Sequence, residues 1–169
     1  MTPHYQLLEA IDARVGRIRE NHPDWLCAKG CDNCCRRLAA PLPLTPVEWD
    51  LLRQGLALLP ASLLEQIRQQ VAHVAEQRSG PFVCPLLDQA SGACPVYPQR
   101  PVACRTYGFY VQRDKGLYCH EIESLVDQGH LSEVVWGNQE GIERQLGQGG
   151  EPLFLHEWFA RWMQDKSAG

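Results

Sequence analysis

Cysteine is the residue type whose number and spacing in this sequence point most directly to chemistry. Four cysteines fall within the stretch CAKGCDNCC, residues 27–35. The spacing C-x3-C-x2-C, followed directly by another cysteine, lets a short loop bring several thiols together at little entropic cost. Gly30, Asp32 and Asn33 between them suit tight loop conformations. We therefore predict a metal site, and its predicted ligands are all the cysteines of the chain: Cys27, Cys31, Cys34, Cys35, Cys84, Cys94, Cys104 and Cys119.

Disulfides and core packing are the two alternative uses of these thiols. Disulfides are typical of secreted proteins, and the first 20 residues, MTPHYQLLEAIDARVGRIRE, lack the continuous apolar stretch of a secretory signal. We therefore expect a cytoplasmic protein with reduced thiols. Cysteines that pack a core are more often scattered over apolar helix faces than gathered in a loop. Both alternatives are weaker than metal binding.

The adjacent pair Cys34-Cys35 limits how the thiols can be shared. Neighbouring side chains diverge by about 100° on a helix and point to opposite faces of a strand. We therefore expect the two to serve different centres, or one to bind metal while the other packs. Eight cysteines would fill two four-thiolate sites, or one larger cluster with spare thiols. We favour two sites or a polynuclear cluster, each combining early and late cysteines.

The second half of the sequence points to a family. The run CPLLDQASGACPVYPQRPVACRTYG, together with the upstream CAKGCDNCC, resembles the CxxCxxCC (YkgJ-type) cysteine-cluster family, described as zinc- or iron-chelating domains. The resemblance covers about residues 25–110 and implies metal chelation, while Cys119 lies beyond the motif. The matching residues of the second half are Cys84-Pro85, Gly92, Cys94, Tyr97, Arg100-Pro101 and Cys104-Arg105.

Several biochemical functions agree with such a site. The first is a metal-binding protein holding zinc or iron, with an iron–sulfur cluster as a further option. The second is an iron–sulfur-dependent enzyme, because flagellin lysine methylase contains a similar cysteine cluster. The third is a zinc-ribbon-like nucleic-acid binder, which the net charge of -4 disfavours. No nucleotide-binding or hydrolase motif is visible, so catalytic residues are not assigned and enzyme activity stays open.

Four arginines and one histidine accompany the thiols, and two of the arginines, Arg36 and Arg37, are explained equally well as solvated charges. Four thiolates around a divalent ion leave a charge of about -2, which nearby donors would stabilise. Arg105 is predicted to serve in this way, and Arg100 either does so or pairs with a carbonyl or carboxylate in its turn. His120 adjoins Cys119, and a surface histidine at a helix start is favoured over a metal ligand.

The remaining sequence predicts a mainly α-helical single domain over residues 1–169. Apolar residues at helical spacing predict a first helix, a capped helix from Thr45, and an apolar C-terminal stripe that packs in the core. The metal-binding region covers about residues 25–120 and the C-terminal helices residues 121–166, with one short β-hairpin around a turn at residues 89–92. No segment is long and apolar enough for a membrane span. The partner is a metal ion, and any protein partner is unidentified.

Overall fold

Helices dominate the computed structural model, which describes residues 2–113 and 115–167. The prediction of a mainly α-helical fold is confirmed. The α-helices of these residues are α1 (Pro3–Asn21), α2 (Asn33–Arg36), α3 (Pro46–Ala57), α4 (Ala61–Glu76), α5 (Val102–Thr106), α6 (His120–Asp127), α7 (Gln139–Leu146) and α8 (Leu155–Ser167). Short 3-10 helices cover Tyr97–Gln99 and Gly147–Gly149. No described helix combines the length and the hydropathy that crossing a membrane requires.

The strands are short and form two small sheets. One pairs β1 with β5 antiparallel, and the other has the order β3-β2-β4, with β2 antiparallel to β3 and parallel to β4. The strands are β1 (Pro43–Leu44), β2 (Tyr110–Gln112), β3 (Lys115–Leu117), β4 (Gly137–Asn138) and β5 (Leu153–Phe154).

The hairpin lies at a different place from the one predicted. Strands β2 and β3 form it, and Asp114, which lies between them in the sequence, is outside the described residues. At the predicted turn there is only one antiparallel bridge, in which Asp88 N donates to Ala93 O at 2.9 Å. Asp88 also accepts from Ser91 and from Ala90 N, so its side chain organises the turn itself in place of longer strands.

The chain divides into two compact units, each built from two separate stretches. Unit 1 consists of Met1–Cys31 and Val102–Gly149, and unit 2 consists of Asp32–Pro101 and Gly150–Gly169. Unit 1 therefore contains α1 and α5 to α7, whereas unit 2 contains α2 to α4 and α8. Each unit is described by itself below.

Unit 1 is organised around the amphipathic helix α1. Thr2 is its N-cap and Pro3 its first residue, a position where the missing proline N–H costs no hydrogen bond. The buried face comprises Leu7, Leu8, Ile11, Val15 and Ile18. From the same helix Asp12 accepts a hydrogen bond at 2.8 Å from Arg105 of α5, so an ion pair joins two distant stretches of the chain.

Unit 2 contains an apolar core contributed by α3, α4, α8 and the loop between α4 and α5. The predicted capping box is present: Thr45 N donates to Glu48 Oε2 at 2.9 Å. The C-terminal stripe packs into this core as predicted, and Trp158 lies parallel to Trp49 with ring centroids 5.7 Å apart. The buried core residues are Leu44, Trp49, Leu52, Leu56, Ile67, Val71, Leu86, Val96, Phe159 and Trp162.

Leu52 and Leu58 provide a matched test of this core. Leu52 is 0% exposed and Leu58, just after the same helix, is 83% exposed. We expect Leu52→Ala to lower the free energy of unfolding by about 2–5 kcal/mol, because it removes buried methyl groups and leaves a cavity. Leu58→Ala should stay within about 0.5 kcal/mol of the wild type. Urea unfolding followed by tryptophan fluorescence measures both, and equal effects would contradict this description of the core.

Candidate metal centre

The eight cysteines are divided equally between the two units. None of them forms a disulfide. Unit 1 holds Cys27, Cys31, Cys104 and Cys119, and unit 2 holds Cys34, Cys35, Cys84 and Cys94. Each unit thus combines two cysteines of the loop at residues 27–35 with two from later in the chain.

In unit 2, three thiols are close enough to act on one another. Cys34 and Cys35 influence each other's pKa, and Cys84 influences that of Cys35. Cys34 and Cys35 both lie on α2, a single helical turn of four residues on which successive side chains diverge by about 100°. How the two cysteines are shared between metal centres stays a prediction.

A backbone pairing places Cys84 beside Cys35. Leu38 and Phe82 exchange two hydrogen bonds of 2.9 Å, and Cys84 N donates to Cys35 O at 2.7 Å. Phe82 is buried, which anchors this pairing in the protein interior. Two segments that are almost 50 residues apart in sequence are thus held in register, and the closeness of the two thiols follows from that register.

The neighbouring thiols and burial raise the pKa of Cys34 and Cys35. The interaction with Cys35 raises the pKa of Cys34 well above its usual range, and burial adds to the effect. For Cys35, the interaction with Cys34 lowers the pKa, but the interaction with Cys84 and burial outweigh it and raise the pKa to about 12. The neutral form of both thiols is therefore favoured.

Both later cysteines of unit 2 begin a Cys-Pro turn. Leu87 N donates to Cys84 O at 3.1 Å, and Tyr97 N donates to Cys94 O at 3.2 Å, so each turn spans four residues with proline second. The third residue of each turn, Leu86 or Val96, is buried in the core of unit 2. The repeated Cys-Pro was visible in the sequence as part of the family motif, but its use as a turn that anchors a thiol was not predicted.

Opposing effects act on the pKa of the Cys94 thiol. Burial raises the pKa of Cys94, whereas a hydrogen bond from the Val96 amide and the charge of Arg100 oppose that rise. Arg100 donates to Tyr97 O at 2.9 Å and lies over the Tyr97 ring at 3.9 Å. Arg100 therefore pairs with a carbonyl of its own turn, as one of the two predictions held, while its charge also reaches a cysteine.

In unit 1, Cys27 is enclosed by the backbone and by an arginine. Arg19 donates to Cys27 O at 2.9 Å, and its guanidinium lies 5.1 Å from the centre of the Phe109 ring. Gly108 has φ +89°, and a Cβ built there would lie only 2.3 Å from Cys27 Sγ. The position therefore needs glycine for its backbone conformation and for the close approach of the sulfur.

The other cysteines of unit 1 lie on helices or in the loop. Cys104 is in α5, Cys119 directly precedes α6, and Cys31 is exposed. Burial raises the pKa of Cys119, the Ile122 amide opposes this, and Glu121 adds to it. His120 is 84% exposed by side chain and lies 3.5 Å from Glu123, which agrees with a surface histidine at a helix start.

Arg105 is buried and its ion pair joins it to Asp12. Its role as a donor to thiolates stays a prediction. Sequence reasoning missed this ion pair, because Asp12 lies 93 residues away and carries no motif.

The thiols suit a thiophilic ion in kind and in number. Four cysteines per unit match the four thiolates that close a tetrahedral zinc or iron site. In residues 2–113 and 115–167, however, no group of three or more His, Cys, Asp or Glu side chains is arranged to hold a metal ion. Metal binding therefore requires the cysteine side chains to rotate towards one point.

Comparison with known families identifies the class of protein. A family model described as "CxxCxxCC: Putative zinc- or iron-chelating domain" matches residues 26–124, more than half of the chain. The chain belongs to the CxxCxxCC family, which supports metal binding in general and confirms the resemblance. No curated protein and no solved structure matches the chain significantly.

The environment of Cys27 can be tested with two glycines of unit 1. Gly108 and Gly129 both have positive φ, +89° and +75°, but a Cβ at Gly129 would meet no atom within 4 Å. Both alanine variants carry backbone strain, and only Gly108→Ala also displaces Cys27. We expect Gly108→Ala to destabilise the protein by about 1–3 kcal/mol more than Gly129→Ala in urea unfolding. Equal costs would contradict the close contact.

Proton release on metal binding follows from the raised thiol pKa values. Neutral thiols must lose protons to bind as thiolates, so affinity should rise with pH below those pKa values. We expect about two to four protons released per zinc ion. Calorimetric titration of the reduced protein in buffers of different ionisation enthalpy measures this number. An affinity that does not change between about pH 6 and pH 8 would contradict the prediction.

Proposed function

We propose that the protein chelates zinc or iron through two four-cysteine centres, one in each unit. The observation that carries the proposal is the equal division of the eight cysteines, with two loop cysteines and two later cysteines in each unit. Family membership supports metal binding in general. The assignment of four particular ligands to each centre is our own.

The unit 2 centre would use Cys34, Cys35, Cys84 and Cys94. Interactions among the first three and the electrostatic influence of Cys94 on Cys35 support this set. The Cys-Pro turns are a suitable scaffold, because proline restricts the turn and the following amide can donate to sulfur. The Val96 amide already favours the charged form of Cys94 in this way.

The charge of such a centre also has partners nearby. Four thiolates and a divalent ion leave a charge of about -2, which is costly where water is excluded. The charge of Arg100 acts on Cys94. Arg36 of α2 pairs with Asp32 at 2.6 Å and donates to Gln89 O at 3.0 Å, which joins the loop cysteines to the turn before Cys94.

The unit 1 centre would use Cys27, Cys31, Cys104 and Cys119. Two observations support this set. All four cysteines lie in unit 1, and Gly108 and Arg19 enclose Cys27. Cys31 is exposed, and its amide donates to Ala28 O at 3.0 Å, which closes a turn of the loop. This position leaves the side chain free of a packed core, so it can turn towards an ion with little loss of packing.

Zinc and iron would give the protein different roles. A closed four-thiolate zinc site contributes folding energy, and it suits a reducing cytoplasm in which thiols stay available. Iron would make the same ligands redox-active, with a potential set by hydrogen bonds to sulfur and by burial. In both cases the protein's own residues supply the thiolates, the N–H donors and the positive charge.

Metal content and colour distinguish these roles. The protein is purified without oxygen and examined by elemental analysis, visible spectroscopy and an assay for acid-labile sulfide. Two zinc ions in a colourless protein support a zinc protein, and two iron ions without sulfide support mononuclear iron. Iron together with a near-equal amount of acid-labile sulfide would indicate an iron–sulfur cluster instead of two mononuclear centres. Absence of bound zinc and iron after reconstitution would overturn the proposal.

Single cysteine variants test the two-centre assignment. We expect Cys34→Ser to lose one of two ions and Cys104→Ser to lose the other, because each removes a ligand from one unit only. The double variant should lose both. His120→Ala is the control and should keep full metal content, since its side chain is exposed. Loss of both ions in either single variant would contradict two independent centres.

A further inference from the structure

Cys35 has two neighbouring thiols in unit 2, Cys34 and Cys84, and each of them acts on its pKa. Two neighbouring thiols can be oxidised to a disulfide, whereas a four-thiolate metal site needs more of them to converge. Among the described residues no group of three or more His, Cys, Asp or Glu side chains is placed for a metal ion.

Geometry decides which of the two pairs can be oxidised. Consecutive Cα atoms across a trans peptide are about 3.8 Å apart, and disulfides usually need about 4.4–6.8 Å between Cα atoms. The Cys34–Cys35 peptide is trans, so a disulfide between these neighbours would be strained. Cys35 and Cys84 lie on different segments and have no such restriction.

The backbone holds the favourable pair in place. Cys84 N donates to Cys35 O at 2.7 Å, and the Leu38–Phe82 bridge fixes the same two segments a few residues away. Both cysteines are only half-buried, so a small oxidant can approach them. Closing this disulfide would therefore need little movement of the main chain.

We propose that Cys35 and Cys84 form a reversible dithiol–disulfide pair that exchanges with a low-molecular-weight disulfide such as oxidised glutathione. One thiol, as its thiolate, attacks the oxidised glutathione, and a mixed disulfide forms as one glutathione leaves. The other thiol then attacks the mixed disulfide and releases the second glutathione. The two cysteines are oxidised to one disulfide, one glutathione disulfide is reduced to two glutathione molecules, and the two thiol protons end on them.

The pair would also control metal binding, and this part rests on the proposed function. Cys35 and Cys84 are two of the four proposed ligands in unit 2, and a disulfide sulfur cannot serve as a thiolate ligand. Oxidation of the pair therefore prevents loading of that centre. A bound ion in turn occupies both thiolates, so metal binding and oxidation compete for the pair and an excess of oxidised glutathione displaces the ion.

Equilibration with glutathione tests the pair directly. The metal-free, full-length protein is brought to equilibrium at several ratios of reduced to oxidised glutathione, quenched with acid, alkylated and digested. Mass spectrometry then shows which cysteines are joined. We expect a Cys35–Cys84 crosslink that appears at the oxidising ratios and disappears at the reducing ones. A different pairing at every ratio, or mixed glutathione disulfides alone, would overturn the proposal.

Matched variants separate this pair from its neighbours. Cys84→Ser should abolish the crosslink, whereas Cys34→Ser and Cys94→Ser should retain it. The crosslink must also form in folded Cys94→Ser protein. This control excludes pairing that arises only in unfolded protein. Loss of the crosslink in folded Cys34→Ser would show that Cys34 is a partner and would overturn the assignment.

The metal readout distinguishes this proposal from the proposed function. Zinc-loaded reduced protein is exposed to oxidised glutathione, and released zinc is measured with a chromogenic chelator. Release of one ion together with the crosslink supports the coupling. If the reduced protein binds no metal and the crosslink still forms, the proposed function fails and the dithiol pair stands. If the reduced protein binds metal and no crosslink forms in the metal-free protein, the proposal of a dithiol pair fails and the proposed metal centre stands.

Discussion

The pairing of residues 35–38 with residues 82–84 is the constraint on which the proposed chemistry of unit 2 depends. Thiol contacts act over only a few ångströms, and side chains on a short loop can move further than that. The 2.7 Å bond from Cys84 N to Cys35 O and the two Leu38–Phe82 bonds remove most of this freedom. The same register would place ligands for an ion and partners for a disulfide, so one backbone feature supports both proposals.

The motif CAKGCDNCC is divided between the two units. Unit 1 ends its first stretch at Cys31 and unit 2 begins at Asp32, so the loop contributes two cysteines to each. A cluster of four cysteines in nine residues looks like one ligand set in the sequence. In the structure two of them fall in each unit, together with two later cysteines. Under the proposed function, the short spacing would place the starts of two ligand sets next to each other along the chain.

Opposing effects act on the sulfur atoms of unit 2. Burial and neighbouring thiols favour the neutral form of Cys34 and Cys35, while the Val96 amide and the Arg100 charge favour the thiolate of Cys94. Without a metal ion, uncharged thiols cost less where water is excluded. The donors around Cys94 are of the kind that would stabilise a charged centre once protons have left.

The sequence alone determined the helical class, the buried C-terminal stripe, the capping box at Thr45 and the family, because each of these depends on local periodicity or on a linear motif. It also indicated that early and late cysteines combine. Only the tertiary structure decided which cysteines share a unit, that Cys84 N bonds to Cys35 O, and that Arg105 pairs with Asp12. These outcomes depend on the register between segments far apart in the chain, and no local pattern encodes that register.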